Sequence, residues 1–76
     1  MPVAFILVKA EPHAIATIIN RVLYFEEVSE AYSIAGPYDI IVKVVSEKFE
    51  NVAKVVLEKI VKIDGIKEEV MLLLFY

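Results

Sequence analysis

Residues 26–45 read EEVSEAYSIAGPYDIIVKVV, and this stretch decides the fold. Val28, Glu30, Tyr32 and Ile34 alternate with Ser29, Ala31, Ser33 and Ala35, the period of two that marks a strand. Gly36-Pro37 interrupts the pattern. Tyr38-Asp39 then opens IIVKVV, a run dominated by β-branched residues. Two strand-like runs about a short Gly-Pro stretch read as a β-hairpin, with strands expected over 26–35 and 38–45.

Upstream, residues 3–10 (VAFILVKA) form a nearly continuous run of β-formers, closed by Glu11-Pro12. Proline suits the first helical turn, where its missing N–H is not needed. Ile15, Ile18, Ile19 and Val22 follow at i, i+3, i+4 and i+7, one face of a helix expected over about 12–23. Tyr24-Phe25 is expected to pack its end. Downstream, Ser46 is the expected N-cap of a second helix, with Glu47 in its first turn. Its apolar stripe is Phe49, Val52, Val56 and Ile60, flanked by Ala53 and Leu57. Glu50 with Lys54 and Glu58 with Lys62 are candidate i,i+4 pairs, and Gly65 is the expected C′ residue. Residues 66–76 (IKEEVMLLLFY) complete the chain as a last strand.

The order is β-α-β-β-α-β, the ferredoxin-like arrangement. The expected fold is α+β: an antiparallel four-stranded sheet with two helices on one face. Two helices cover only one face, yet the strands are apolar on both. Val3, Phe5 and Leu7 oppose Ala4, Ile6 and Val8. Ile40, Val42 and Val44 oppose Ile41, Lys43 and Val45. Val70, Leu72 and Leu74 oppose Met71, Leu73 and Phe75. A sheet with one wet face should alternate apolar with polar residues. Lys43 is the lone charge in these runs, and its stem is long enough to carry the ammonium to a rim.

With 76 residues the chain is expected to form one domain, 1–76, too small to be robust without a further source of stability. It has no cysteine and one histidine, so disulfides and thiolate or multi-histidine metal sites within one chain are excluded. Hydrophobic residues make up 59% of it, more than one small core hides. Association of sheets face to face, as in a dimeric α/β barrel, is the expected remedy; the alternative is a heat-adapted, densely packed monomer, which the charge of Lys43 on the second face favours. Eleven acidic residues are interspersed with eight basic ones, for a net charge of −3, which argues against direct nucleic-acid binding. Charges interrupt every apolar run, so no membrane span is expected. The first residues lack a basic leader pattern, and the expected location is cytoplasmic.

The hairpin segment, Val28-x-x-Ala31-Tyr32-x-x-x-Gly36-x-Tyr38-Asp39-Ile40-x-x-Lys43-Val44, resembles the amino-acid-sensing domain of Lrp/AsnC-type transcription regulators. Its free-standing form is the stand-alone RAM (regulation of amino-acid metabolism) module. Ala4-Phe5-Ile6-Leu7 with Glu11-Pro12, and Lys59-Ile60-x-x-Ile63-Asp64-Gly65-Ile66, extend the likeness over nearly the whole chain. The resemblance implies a homodimer assembling into rings such as octamers or decamers. It implies small amino-acid effectors bound between dimers, and co-assembly with a DNA-binding paralogue, since a helix-turn-helix domain is expected to be lacking. It departs from the family pattern at His13, where glycine is common. It departs again at Glu69 and Met71, where the last strand often carries threonines. An altered effector preference, or loss of the site, is what these departures imply.

The candidate ligand-binding residues are Gly36, Tyr38, Asp39, Glu69 and Met71. Gly36 permits close backbone approach or is a plain turn glycine. Asp39 either accepts a charge-assisted hydrogen bond from an effector ammonium or caps its own turn. Tyr38 serves packing before binding. Glu69 and Met71 rest on the resemblance alone. Glu68 and Glu69 are neighbours on a strand, so they point to opposite faces and form no carboxylate dyad. His13 has no partner at catalytic spacing and is expected on the surface. No catalytic residue, cofactor or metal is expected, so the chain reads as a non-enzymatic sensing and assembly module. The competing functions are a small dimeric α/β-barrel enzyme, which should show converging His, Asn, Trp or Arg groups, and a purely structural interaction domain.

Overall fold

The hairpin forms, but with a defect that reorders its faces. In a computed structural model, which describes residues 2–74, β2 spans Val28–Ser33 and β3 spans Ile40–Val45. The ladder advances from Val28↔Val44 to Glu30↔Lys43, two residues on β2 against one on β3. This bulge at Ser29 reverses the expected alternation. Val28 is buried, while Glu30 and Tyr32 point to the open side with Lys43 and Ile41. A bulge adds one unpaired residue and shifts every later side chain by one position.

β1 spans Val3–Ala10 and β4 spans Ile66–Leu73, giving the sheet order β2-β3-β1-β4, antiparallel throughout. The two outermost residues of the expected last strand, Phe75 and Tyr76, lie outside the described residues. Between β1 and β2, a 3-10 turn at Pro12–Ala14 leads into α1, Ile15–Val22. Pro12 occupies the predicted first-turn position. Ile18 and Val22 are buried, with Ile15 and Ile19 packed beside them. Phe25 packs on the core, but Tyr24 is 89% exposed and does not.

The second helix begins later than its sequence suggests. Lys48, not Ser46, holds the N-cap position, with extended φ −125° and ψ 139° and no side-chain cap. The Ser46 N–H instead donates to the Pro2 carbonyl at 3.3 Å, which continues the strand path. Glu47 therefore precedes the helix, and Glu50 is the acid in its first turn. α2 spans Phe49–Lys54 and runs on as a π-helical segment, Val55–Ile60. Val52, Val55, Val56 and Ile60 are buried, whereas Phe49 and Leu57 lie outside the core. Val55 replaces Phe49 in the buried stripe because Phe49 now opens the helix. The helix ends at Ile60, too early for Gly65 to be its C′ residue. Gly65, at φ +98°, belongs to the turn before β4, where its carbonyl accepts from the Glu11 N–H at 2.9 Å.

Ala4, Ile6 and Val8 from β1, with Ile40, Val42 and Val44 from β3, face the helices and are fully buried. Val3, Phe5, Leu7, Ile41 and Val45 face the other way and are half-buried. Leu72 (48%) and Leu74 (45%) are exposed there. The helix-free face is as apolar as the strand pattern foretells. No helix among the described residues is long and apolar enough to cross a membrane.

Candidate functional site

Because β1 runs antiparallel to both β3 and β4, three chain segments meet at one end of the sheet. These are the end of β1 (Lys9, Ala10), the start of β3 with its preceding loop 34–39, and the start of β4. Four of the five candidate residues, Gly36, Tyr38, Asp39 and Glu69, lie at or near this end.

Asp39 is its best-anchored residue. Its N–H donates to the Val8 carbonyl at 2.8 Å, and its carbonyl accepts from the Ile34 N–H at 2.9 Å, closing the loop. Its Oδ2 accepts from the Ala10 N–H at 2.9 Å. The carboxylate thus neither caps its own turn nor stands free. It takes over as the acceptor for β1 beyond the last β1–β3 pair, Val8↔Ile40. Oδ1 makes no hydrogen bond among the described residues, and a carboxylate has lone pairs to spare. Gly36, at φ +143°, is exposed, and a Cβ added there would meet nothing within 4 Å. Tyr38 is half-buried beside Asp39.

Glu69 pairs across the sheet with Val8, so it faces the helices from an edge strand. Its Oε2 is enclosed without a hydrogen-bond partner, and burial pushes its carboxyl above the usual carboxylate range. Desolvation disfavours the charged form. Met71 sits opposite Ile6 and packs against the core. It lies two residues, about 7 Å, further along the strand. Asp39 and Glu69 stand on the two flanks of β1, two strand spacings or about 10 Å apart. The structure brings the acid groups to one end of the sheet but does not enclose them. Concave surfaces among the described residues are lined by other residues: one of about 410 Å³ along the second helix from Phe49 to Glu58, one of about 280 Å³ between Glu27 and that helix, one of about 530 Å³ where Arg21 and Tyr24 meet Lys59 and Lys62, and a depression of about 40 Å³ on the open sheet face. A ligand at the hairpin end would need a wall from elsewhere.

Two polar clusters escape a reading by sequence. On the open face, the Tyr32 hydroxyl donates to Glu30 Oε1 at 2.8 Å, and Lys43 Nζ lies 3.6 Å from Glu30 Oε2. The hydrogen bond to Glu30, reinforced by its charge, holds the Tyr32 phenol above its ordinary value. Between the helices and β2, Lys59 Nζ lies 3.5 Å from Glu27 Oε1 and 5.5 Å from the centre of the Phe25 ring. That contact supplies the enclosed Glu27 oxygen, which has no formal hydrogen bond, with a counter-charge. The ion pairs found among the described residues join different elements, Lys67–Glu11 included, and the expected Glu50–Lys54 and Glu58–Lys62 pairs do not close. Only the alternation of Glu30 and Tyr32 hinted at any of this, and the bulge fixes their partner. His13 is exposed at the start of the 3-10 turn.

Comparison with known proteins gives this architecture its relatives. Residues 3–72 match the family model described as the Lrp/AsnC ligand binding domain. An HTH-type transcriptional regulator of Pyrococcus horikoshii is 37% identical over 65 residues, covering 86% of this chain and 41% of the regulator. A crystal structure from Thermus thermophilus superposes with a TM-score of 0.94 at 28% identity, over 100% of this chain and 95% of that one. Escherichia coli AsnC superposes with a TM-score of 0.89 at 25% identity, over 99% of this chain and 51% of AsnC. The chain therefore spans about half the length of AsnC and less than half of the Pyrococcus regulator. With its ferredoxin-like sheet and a family match over almost its whole length, the chain belongs to the Lrp/AsnC family, as a ligand-binding domain related to transcriptional regulators.

Proposed function

We propose that this domain acts as an amino-acid-sensing and oligomerisation module in the cytoplasm. It works without catalysis, modulating transcription or amino-acid metabolism through effector binding and co-assembly with itself or a DNA-binding paralogue. The observation that carries this reading is the helix-free sheet face. Phe5, Leu7, Ile41, Val70 and Leu72 form a continuous apolar surface across β3, β1 and β4. Each large apolar side chain buried there contributes about 1.5–3 kcal/mol, and a second copy supplies a matching face. Sheet pairing leaves the hairpin ends of neighbouring dimers free to wall one another's sites. There, Gly36 gives close backbone access, Tyr38 lends a ring edge and Asp39 Oδ1 accepts from an effector ammonium. Glu69, with Met71 behind it, sets the chemistry on the far flank of β1.

The test couples size with ligand response. Light scattering after gel filtration should give a dimer or a larger species. A thermal-shift screen of the twenty amino acids should then single out one or a few. A ligand at 100 times its dissociation constant adds about 2.7 kcal/mol, roughly 10 °C or more for a domain of this size. The Asp39→Asn chain should keep its assembly and lose most of that response. A monomer that no amino acid stabilises would sink the reading.

A further inference from the structure

The chain carries eight basic residues against a net charge of −3, and three of the eight converge. Arg21, Lys59 and Lys62 line one cleft of about 530 Å³, together with Tyr24, Phe25 and Ile63. The cleft runs between residues 21–25, where α1 ends, and residues 59–63, where the second helix ends. No acid among the described residues lines it. Ile63 is buried and Phe25 packs on the core, so the cleft has an apolar floor. Tyr24, three residues after Arg21, keeps 89% of its surface in water. The cleft lies on the helix side of the sheet and shares no residue with the hairpin end. It is therefore independent of whether the sheet faces pair.

Cations near helix C-termini ordinarily offset the dipoles of the last carbonyls. That role accounts for Arg21, in the last turn of α1, and for Lys59, in the last turn of the π-helical segment. It does not account for Lys62, two residues past that segment, turning to the same cleft, or for the wet Tyr24 ring beside it. Arg21 and Lys62 close no ion pair among the described residues. Lys59 pairs with Glu27 at 3.5 Å, which fixes its ammonium 5.5 Å from the centre of the Phe25 ring. An ammonium has three donors, so one counter-ion leaves Lys59 with donors to offer.

We propose that this cleft binds a nucleotide bearing two or more phosphates, at a site separate from that of the amino-acid effector. The Arg21 guanidinium offers a planar fork that takes phosphate oxygens in pairs. Lys62 adds a mobile point charge and Lys59 a fixed one. Three cations with no acid among them suit a polyphosphate, whereas a lone carboxylate needs one partner. The Tyr24 ring gives a base a face to stack on, a contact every base can make. Volume separates a nucleotide from a bare anion. The cleft falls within the ~300–1,000 Å³ of small-molecule sites, and a phosphate ion would fill a small part of it. Charge separates a nucleotide from a longer strand. The neighbouring cleft that shares Lys59 is lined by Glu27 and Glu58, so the positive surface stops there and makes no track for a backbone.

The experiment is calorimetric titration of the intact chain with adenosine diphosphate and, separately, with its parts, pyrophosphate and adenosine, followed by amide chemical-shift mapping. The diphosphate should bind at least about tenfold tighter than either part. The shifts should centre on Tyr24, Phe25, Lys62 and Ile63. Tyr24→Ala should weaken the nucleotide about tenfold and leave pyrophosphate unchanged. Arg21→Gln and Lys62→Gln should each weaken both about tenfold. All three side chains are exposed, so these variants should melt with the parent. Lys48→Gln, which removes a cation outside the cleft, should bind as the parent does. Absence of nucleotide binding overturns the proposal, as do amide shifts centred elsewhere or an affinity that Arg21→Gln leaves unchanged. A nucleotide bound no tighter than pyrophosphate also overturns it, since the cleft would then be a plain anion patch. So does a short single-stranded oligonucleotide that binds more than about tenfold tighter than the nucleotide, because the occupant would then be a nucleic acid.

Discussion

Two glycines with positive φ make opposite demands on their surroundings. At Gly65 an added Cβ would come 2.6 Å from the Ala14 Cβ, at φ +98°. Gly65→Ala therefore incurs backbone strain and a clash with the turn that launches α1. Together these should cost about 2–4 kcal/mol in chemical denaturation. Gly36→Ala meets open space, and φ +143° alone should cost about 1 kcal/mol. Equal losses at the two sites would show that the Ala14 contact relaxes freely. Glu69 makes a prediction in pH. Its carboxyl is raised above the ordinary 4.5 by burial, so the folded chain holds this proton to higher pH than the unfolded chain. The stabilising contribution is then complete below about pH 4.5 and is lost as pH rises through the raised value. Glu69→Gln should gain on the parent between pH 4 and pH 7 in thermal melts. The gain should be at most about 1 kcal/mol, because only one oxygen is fully enclosed. A constant difference across that range would contradict the assignment.

Between elements, Asp39 is the pin. Its carboxylate and its own backbone tie β3 to the last residues of β1. Asp39→Ala leaves the Ala10 N–H without an acceptor and should cost about 1–2 kcal/mol. Hydrogen exchange should quicken at Ala10 first, while Ile6 and Val42 in mid-sheet stay protected. Strand and helix order were legible in the chain because they are written in short-range periods. Ile15, Ile18, Ile19 and Val22 name a helical face whatever lies opposite. What stayed hidden depends on partners distant in sequence. The bulge at Ser29 exists only relative to β3, so no reading of β2 alone places Glu30 beside Lys43. Likewise, Ser46 has the chemistry of an N-cap, but β3 holds its backbone on the strand path as far as the bond to Pro2. Of the candidate site, the sequence places Gly36-x-Tyr38-Asp39 in the hairpin loop at one end of the sheet, yet nothing local says that Asp39 spends an oxygen on Ala10.

At the scale of the whole molecule, the proposed sheet pairing makes folding and association one problem. The core uses one face of the sheet, and the other is left apolar over three strands. Leu7 is its centre, opposite Ile41 on one side and Val70 on the other. A charge there costs little while the face is wet and a great deal once it is covered, because an unpaired buried charge is among the most destabilising changes available. Leu7→Glu should therefore convert the assembly to single subunits that still show the parent's far-ultraviolet circular dichroism. Its melting temperature should also lose the dependence on protein concentration that mass action gives an associating chain. The comparison needs both readouts. Loss of structure would mean that the subunit cannot fold unpaired, which itself makes the face part of the fold. Retained structure, retained mass and an unchanged melting curve at every concentration would instead mean that the apolar face stays in water, and the assembly reading would fall.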